Sequence, residues 1–65
     1  MKILRLKQVI ELTGLSRSTI YLFIQNQQFP IQVKLSSKMV GWVEAEVTKW
    51  IHDRIEFRDA EKLSS

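Results

Sequence analysis

A mainly helical fold with one small β-hairpin is predicted by three observations in this 65-residue chain. Two short helical patterns meet at Glu11-Leu12-Thr13-Gly14-Leu15-Ser16-Arg17-Ser18-Thr19-Ile20-Tyr21, where one stops at a glycine and the next starts at a serine. Ile31-Gln32-Val33-Lys34-Leu35 then alternates apolar and polar residues, the period of a half-buried strand. Val47, Trp50, Ile51 and Ile55 follow at spacings of three and four, the stripe of a third helix.

Each element has a local physical reason. Leu6, Val9 and Ile10 recur at helical spacing, so a first helix is expected from Lys7 to about Thr13, too short to stand alone in water. Gly14 suits a helix C-terminus that needs positive φ, and Leu15 is expected to plug the space between the first two helices. Ser16 caps the second helix by accepting from the amide of Ser18 or Thr19. From Arg17 to about Gln27, a turn of 100° per residue groups Ile20, Phe23 and Ile24 on one face and leaves Ser18, Tyr21, Leu22 and Gln25 roughly opposite. Pro30 stops that helix, because it lacks an amide donor and holds Phe29 in extended geometry. Ser36-Ser37-Lys38 supplies the hairpin tip and Met39-Val40-Gly41-Trp42 the returning strand, although no Asn-Gly or Asp-Gly marks the turn. Glu44 and Glu46 place acids at the positive end of the third helix, in which Lys49 and Asp53 form a surface pair. Beyond Arg58 the apolar pattern fades. The chain therefore reads as one domain over residues 1–65, with its core in about 3–58 and a flexible tail from Ala60 to Ser65.

Composition narrows the function classes. Hydrophobic residues at 45% and charged residues at 26% match a folded globular domain. A chain of this length buries only roughly 60% of its unfolded surface, which leaves little room for an elaborate active site. With no cysteine there is neither a disulfide nor a thiolate metal site. No apolar run approaches the ~18 residues that cross a bilayer, and charge interrupts Met1-Lys2-Ile3-Leu4-Arg5 too early for a signal peptide. A soluble, cytoplasmic protein without membrane association is expected. Net charge is +3, but residues 1–43 carry +5 and residues 44–65 carry −2. The side that faces a polyanion is thus expected in the first two-thirds.

The order helix, turn, helix, β-hairpin, helix describes a winged helix-turn-helix. Here the sequence resembles a known family. The run Arg5 to Tyr21, then Phe29-Pro30, Val33-Lys34-Leu35, Gly41-Trp42-Val43-Glu44 and Glu46-Val47-Thr48-Lys49-Trp50 are similar, in order and spacing, to the AlpA family of phage-encoded regulators. The resemblance covers about residues 3–55. It implies a MerR/excisionase-like winged domain that binds double-stranded DNA and regulates transcription of prophage or mobile-element genes. An excisionase-like recombination directionality factor, working with a recombinase, is the alternative it implies. The family's Ser-Arg-Ser-Thr-Ile-Tyr segment falls on Ser16 to Tyr21, and its basic wing falls near Lys34 and Lys38. Position 22, often basic in such sequences, is Leu22 here, and the wing tip lacks the usual Gly and Arg.

The residues make their own case beside this resemblance. Arg17 can fork onto guanine O6 and N7 or clamp a phosphate, while Ser16, Ser18 and Thr19 are short enough to bring backbone amides close to a duplex. Tyr21, expected to face away from the core, can pack on sugar and bond a phosphate. Leu22 can touch a thymine methyl, and Gln25 can pair with adenine N6 and N7. Lys34 and Lys38 would meet phosphates. Blander roles exist for most of them: Arg17 as a solvated helix-start residue, Thr19 in the cap, Tyr21 shielding the first helix, Leu22 and Gln25 as plain surface, and the lysines as blocks to edge pairing. Trp42 and Trp50 read as core or shelf residues.

No chemistry of another kind is legible. His52 is the sole histidine and lies off the apolar stripe, no glycine-rich phosphate loop is present, and the third helix's carboxylates sit where surface acids usually sit. No enzymatic activity, cofactor, metal or small-molecule substrate is expected. A reading from another class is a protein-interaction or dimerisation module on the third helix, where Trp50 and Phe57 lie seven residues apart. Homodimers, or copies tiled along DNA, would offset the weak binding of one small domain.

Overall fold

The computed structural model describes residues 1–64, with side chains through residue 62. Its elements are β1 (Ile3–Leu4), α1 (Leu6–Thr13), α2 (Arg17–Gln25), β2 (Val33–Lys34), β3 (Val40–Val43) and α3 (Glu44–Ser64). This is a winged helix-turn-helix. The one element beyond the sequence expectation is β1, which makes the hairpin a three-stranded antiparallel sheet in the order β1-β3-β2. Ile3 pairs with Val43 and Leu4 with Trp42, while Val33 pairs with Gly41 and Lys34 with Val40. At the β1 end, the Glu44 amide donates to the Lys2 carbonyl at 2.9 Å.

The helix boundaries follow from their end groups. α1 begins at Leu6, one residue before the expected Lys7, because Gln8 Oε1 reaches back to accept from the Arg5 amide at 2.9 Å. Gly14 ends it with φ 75°, its amide donating to the Ile10 carbonyl. In the turn, Thr13 Oγ1 donates to the Val9 carbonyl and accepts from the Leu15 amide, and Leu15 packs against the core as expected. Ser16 Oγ accepts from the Thr19 amide at 3.2 Å, the expected cap of α2. That helix ends at Gln25, two residues short of the expected Gln27. The reason lies in a left-handed Gln27 (φ 59°), after which the Gln28 amide folds back onto the Phe23 carbonyl at 2.7 Å. This is a Schellman closure with glutamine where glycine is usual.

Leu4, Val9, Ile20, Phe29, Trp42 and Val47 form the buried core, so every element except β2 contributes or flanks it. Two indoles pin the segment that joins α2 to the wing. Trp42 Nε1 donates to the Pro30 carbonyl at 3.1 Å, and Trp50 Nε1 donates to the Gln28 carbonyl at 2.7 Å. Phe29 sits edge-on to Trp50 with ring centres 4.9 Å apart. Both tryptophans therefore take the core and shelf roles that the sequence suggested.

Two further expectations, on the first wing strand and the C-terminal tail, need correction. The strand over Ile31–Leu35 is only Val33–Lys34, and its apolar residues are not buried: Ile31 is 67% exposed, Val33 40% and Leu35 42%. The sheet turns Leu4 and Trp42 to the core, and by the period of two Val33 shares the opposite face with Ile3, Gly41 and Val43. Alternation thus located the strand but not the side the core takes. Residues 60–64, set apart as a tail, are helical in α3; Ala60, Glu61, Lys62 and Leu63 are good helix formers, so the backbone ladder outlasts the apolar stripe. Ser65 lies outside the described residues. Residues 52–62 of α3 are all exposed, and the chain extends 47 Å along its longest axis.

Candidate nucleic-acid interface

The candidate interface starts with how α2 is seated. Ile20 is fully buried and Phe23 and Ile24 are half-buried against the core, which turns Ser18, Leu22 and Gln25 outward; Leu22 is 52% exposed. These three share one accessible face. Arg17 is also exposed, at the helix start, with its guanidinium carbon 5.9 Å from the centre of the Tyr21 ring. That stacking restrains a long side chain before any partner arrives.

Tyr21 departs from its expected orientation. Its ring is half-buried and meets Trp42 edge-on at 6.2 Å, so it braces the joint between α2 and β3 instead of standing free. At 100° from Ile20 on the wheel, it occupies the boundary between the packed and open faces, and the sheet closes over it. Ser16 and Thr19 are engaged with each other: besides the cap, Ser16 Oγ donates to Thr19 Oγ1 at 2.9 Å. Their polar groups are thus occupied in starting the helix.

On the wing, Lys34 and Lys38 are exposed, and neither forms an ion pair among the described residues. Lys34 lies in register with Val40, which places it on the sheet face that carries Trp42 and so on the side of Tyr21. The tip closes through the Leu35 amide to the Met39 carbonyl at 2.7 Å and the Lys38 amide to Ser36 Oγ at 3.3 Å. Hydroxyls here replace the glycine of stronger turns.

Two further arginines join this surface, though the sequence reading assigned neither a role. Arg5 Nε donates to the Val40 carbonyl at 3.1 Å, tying the start of α1 to the wing; nothing local in the sequence relates position 5 to position 40. Arg54 lines a cleft of about 360 Å³ with Phe23, Gln28 and Trp50, beside the C-terminal end of α2. A signal for Arg54 did exist, because it falls inside the Val47–Trp50–Ile51–Ile55 stripe, where a buried residue would normally stand. By contrast, three acids of α3 are paired within the protein: Glu44 with Lys2 at 3.8 Å, Asp59 with Arg58 at 3.1 Å, and Asp53 with Lys49, which donates at 2.8 Å and is thereby held above its ordinary pKa. No buried polar or charged residue occurs among the described residues.

Comparison with known proteins fits this geometry. The profile of a family described as prophage CP4-57 regulatory protein (AlpA) matches residues 2–55. The chain belongs to the AlpA family. A relative named uncharacterized protein ORF88, from Enterobacteria phage P4, is 50% identical over 54 residues, covering 83% of this chain and 61% of that protein. This chain therefore spans less than two-thirds of the phage P4 protein. The DNA-binding transcriptional activator AlpA of Escherichia coli K12 is 41% identical over 59 residues, covering 82% of this chain and 84% of the relative. Among the described residues, no helix is long and apolar enough to cross a membrane.

Proposed function

We propose that this AlpA-family chain is a sequence-specific, DNA-binding transcriptional regulator of prophage or mobile-element genes that acts in the cytoplasm without catalysis. In this reading α2 enters the major groove and the wing follows the adjacent backbone or minor groove. One observation carries it: a capped helix, seated through Ile20, turns Arg17, Ser18, Leu22 and Gln25 outward beside the cations of the wing. A relative named as a DNA-binding transcriptional activator supports it. Arg17 and Gln25 are the base readers and Leu22 the contact to a thymine methyl. Ser16, Ser18 and Thr19 hold the helix start close to the backbone, Tyr21 offers its hydroxyl to a phosphate, and Lys34 and Lys38 neutralise phosphates. An excisionase-like directionality factor would use the same surface, and an integrase gene beside this one would favour it.

Selection of bound duplexes from a random DNA pool tests the proposal and defines the site. With such a duplex, Arg17→Ala should weaken specific binding by about 1–3 kcal/mol. Tyr21→Phe isolates the hydroxyl from the packing on Trp42. An unchanged titration for the folded Arg17→Ala, Gln25→Ala double variant would sink the assignment of this face.

A second reading concerns association. The exposed half of α3 displays Ile55 (40%) and Phe57 (52%), and a dimer or a tiled array through that helix would add affinity. Sedimentation of Phe57→Asp decides it, since an unaltered oligomeric state removes the helix from the interface.

A further inference from the structure

α2 lies between two supports, and they mark its two flanks. On one, Tyr21 meets Trp42 of the sheet at 6.2 Å; on the other, Phe23 meets Trp50 of α3 at 6.4 Å. A helix lodged in a major groove about 12 Å wide has a phosphate strand along each flank. The sheet flank is rich in cations: Arg17 stacked on Tyr21, Arg5 tied to Val40, and Lys34 and Lys38 on the wing. The α3 flank holds the cleft formed by Phe23, Gln28, Trp50 and Arg54.

Within that cleft, the chemistry suits an anion. Lys49 is bonded to Asp53 and Arg58 to Asp59, whereas Arg54 has no carboxylate partner among the described residues; its guanidinium carbon lies 5.0 Å from the centre of the Phe57 ring. An arginine supported by an aromatic face keeps its donors free and loses little freedom when it binds. No acid lines the cleft, and the side-chain carboxamide of Gln28, which lines it together with Arg54, can supply a neutral donor.

We propose that Arg54, with Gln28, forms a second phosphate clamp that grips the DNA strand on the far side of α2 from the wing. The inference rests on the DNA-binding reading. It places a DNA-contacting cation in the C-terminal third, whose net charge is acidic, and it gives α2 a charged partner on both flanks, so that the helix is held centred in the groove. The contact carries no base information.

Anisotropy titrations against the selected duplex and a random duplex, over a range of salt, test it. Arg54→Gln and Arg54→Ala should weaken both duplexes by the same factor, on the order of fivefold, and reduce the slope of log affinity against log salt by about 0.9 for one phosphate lost. Arg54→Lys, which keeps the charge but not the stacked fork, should restore the salt slope and only part of the affinity. Ethylation of backbone phosphates should interfere with the wild type at one position that no longer matters for Arg54→Gln. Should Arg54→Ala fail to fold, the Gln and Lys variants carry the test. Wild-type affinity and salt slope in Arg54→Gln, alongside a loss in Arg17→Ala, would overturn the clamp and leave the reading face standing. A loss confined to the selected duplex would overturn it too, because it would mean base contact. Absence of salt-dependent duplex binding by the wild type would remove the DNA reading itself and the clamp with it.

Discussion

α2 and the wing both offer cations to the same side of the molecule, yet they are held in opposite ways. α2 is fixed at three places: Ile20 is fully buried beneath it, Ser16 caps its start, and the Gln28 amide closes its end onto Phe23. The wing is a ladder of two short strands whose outer apolar residues, Val33, Leu35 and Met39, are each about two-fifths exposed. Its base is anchored by Trp42, but its tip is joined mainly by backbone hydrogen bonds. The contrast suits a division of labour. Base readout demands side chains fixed to a fraction of an ångström, whereas phosphate contact tolerates adjustment.

The largest test of this contrast lies beneath the two elements. Ile20→Ala should cost about 2–5 kcal/mol in urea denaturation, as for other buried aliphatic truncations, while Val33→Ala should cost less than about 1 kcal/mol. Equal losses would mean that the wing is as firmly packed as the helix. A middle-sized effect is expected at the cap: Ser16→Ala should destabilise by about 0.5–2 kcal/mol by leaving the Thr19 amide without its acceptor. The smallest effect on stability belongs to Lys34→Ala and Lys38→Ala, each within about 0.5 kcal/mol of wild type. Their signature is in binding, where every duplex should weaken alike and the salt slope should fall by about 0.9 per lysine. A sequence-selective loss would turn the wing from a phosphate contact into a reader.

What the sequence made legible was local. Gly14 as a left-handed stop, Ser16 as the cap of α2 and Glu44 as a helix start each depend on residues within a turn of one another, and all three stand in the structure, where the Thr19 amide, one of the two expected donors, makes the cap. The order of elements followed, and with it the fold. What stayed hidden depends on distant partners. β1 exists because Ile3 and Leu4 find Val43 and Trp42, and a two-residue strand has no period to detect. Tyr21 has a boundary position on its helix, so its inward lean was decided by Trp42. Alternation in Ile31–Leu35 marks two faces but cannot say which meets the core, and here the polar Lys34 shares a face with Trp42. Of the candidate site, the outward trio Ser18, Leu22 and Gln25 was readable from the wheel. Arg5 was not, and Arg54 was readable only as a charge out of place in an apolar stripe.

The paired indoles have an optical consequence. Trp42 and Trp50 are the only tryptophans, and each donates to one carbonyl of the short segment between α2 and the wing, at Pro30 and Gln28. Emission excited at wavelengths that only indole absorbs therefore originates at that joint. One emitter is sealed in the core next to Tyr21, and the other borders the open cleft that holds Arg54. Without any attached dye, the molecule carries one lamp for the integrity of its fold and a second for whatever enters beside α2.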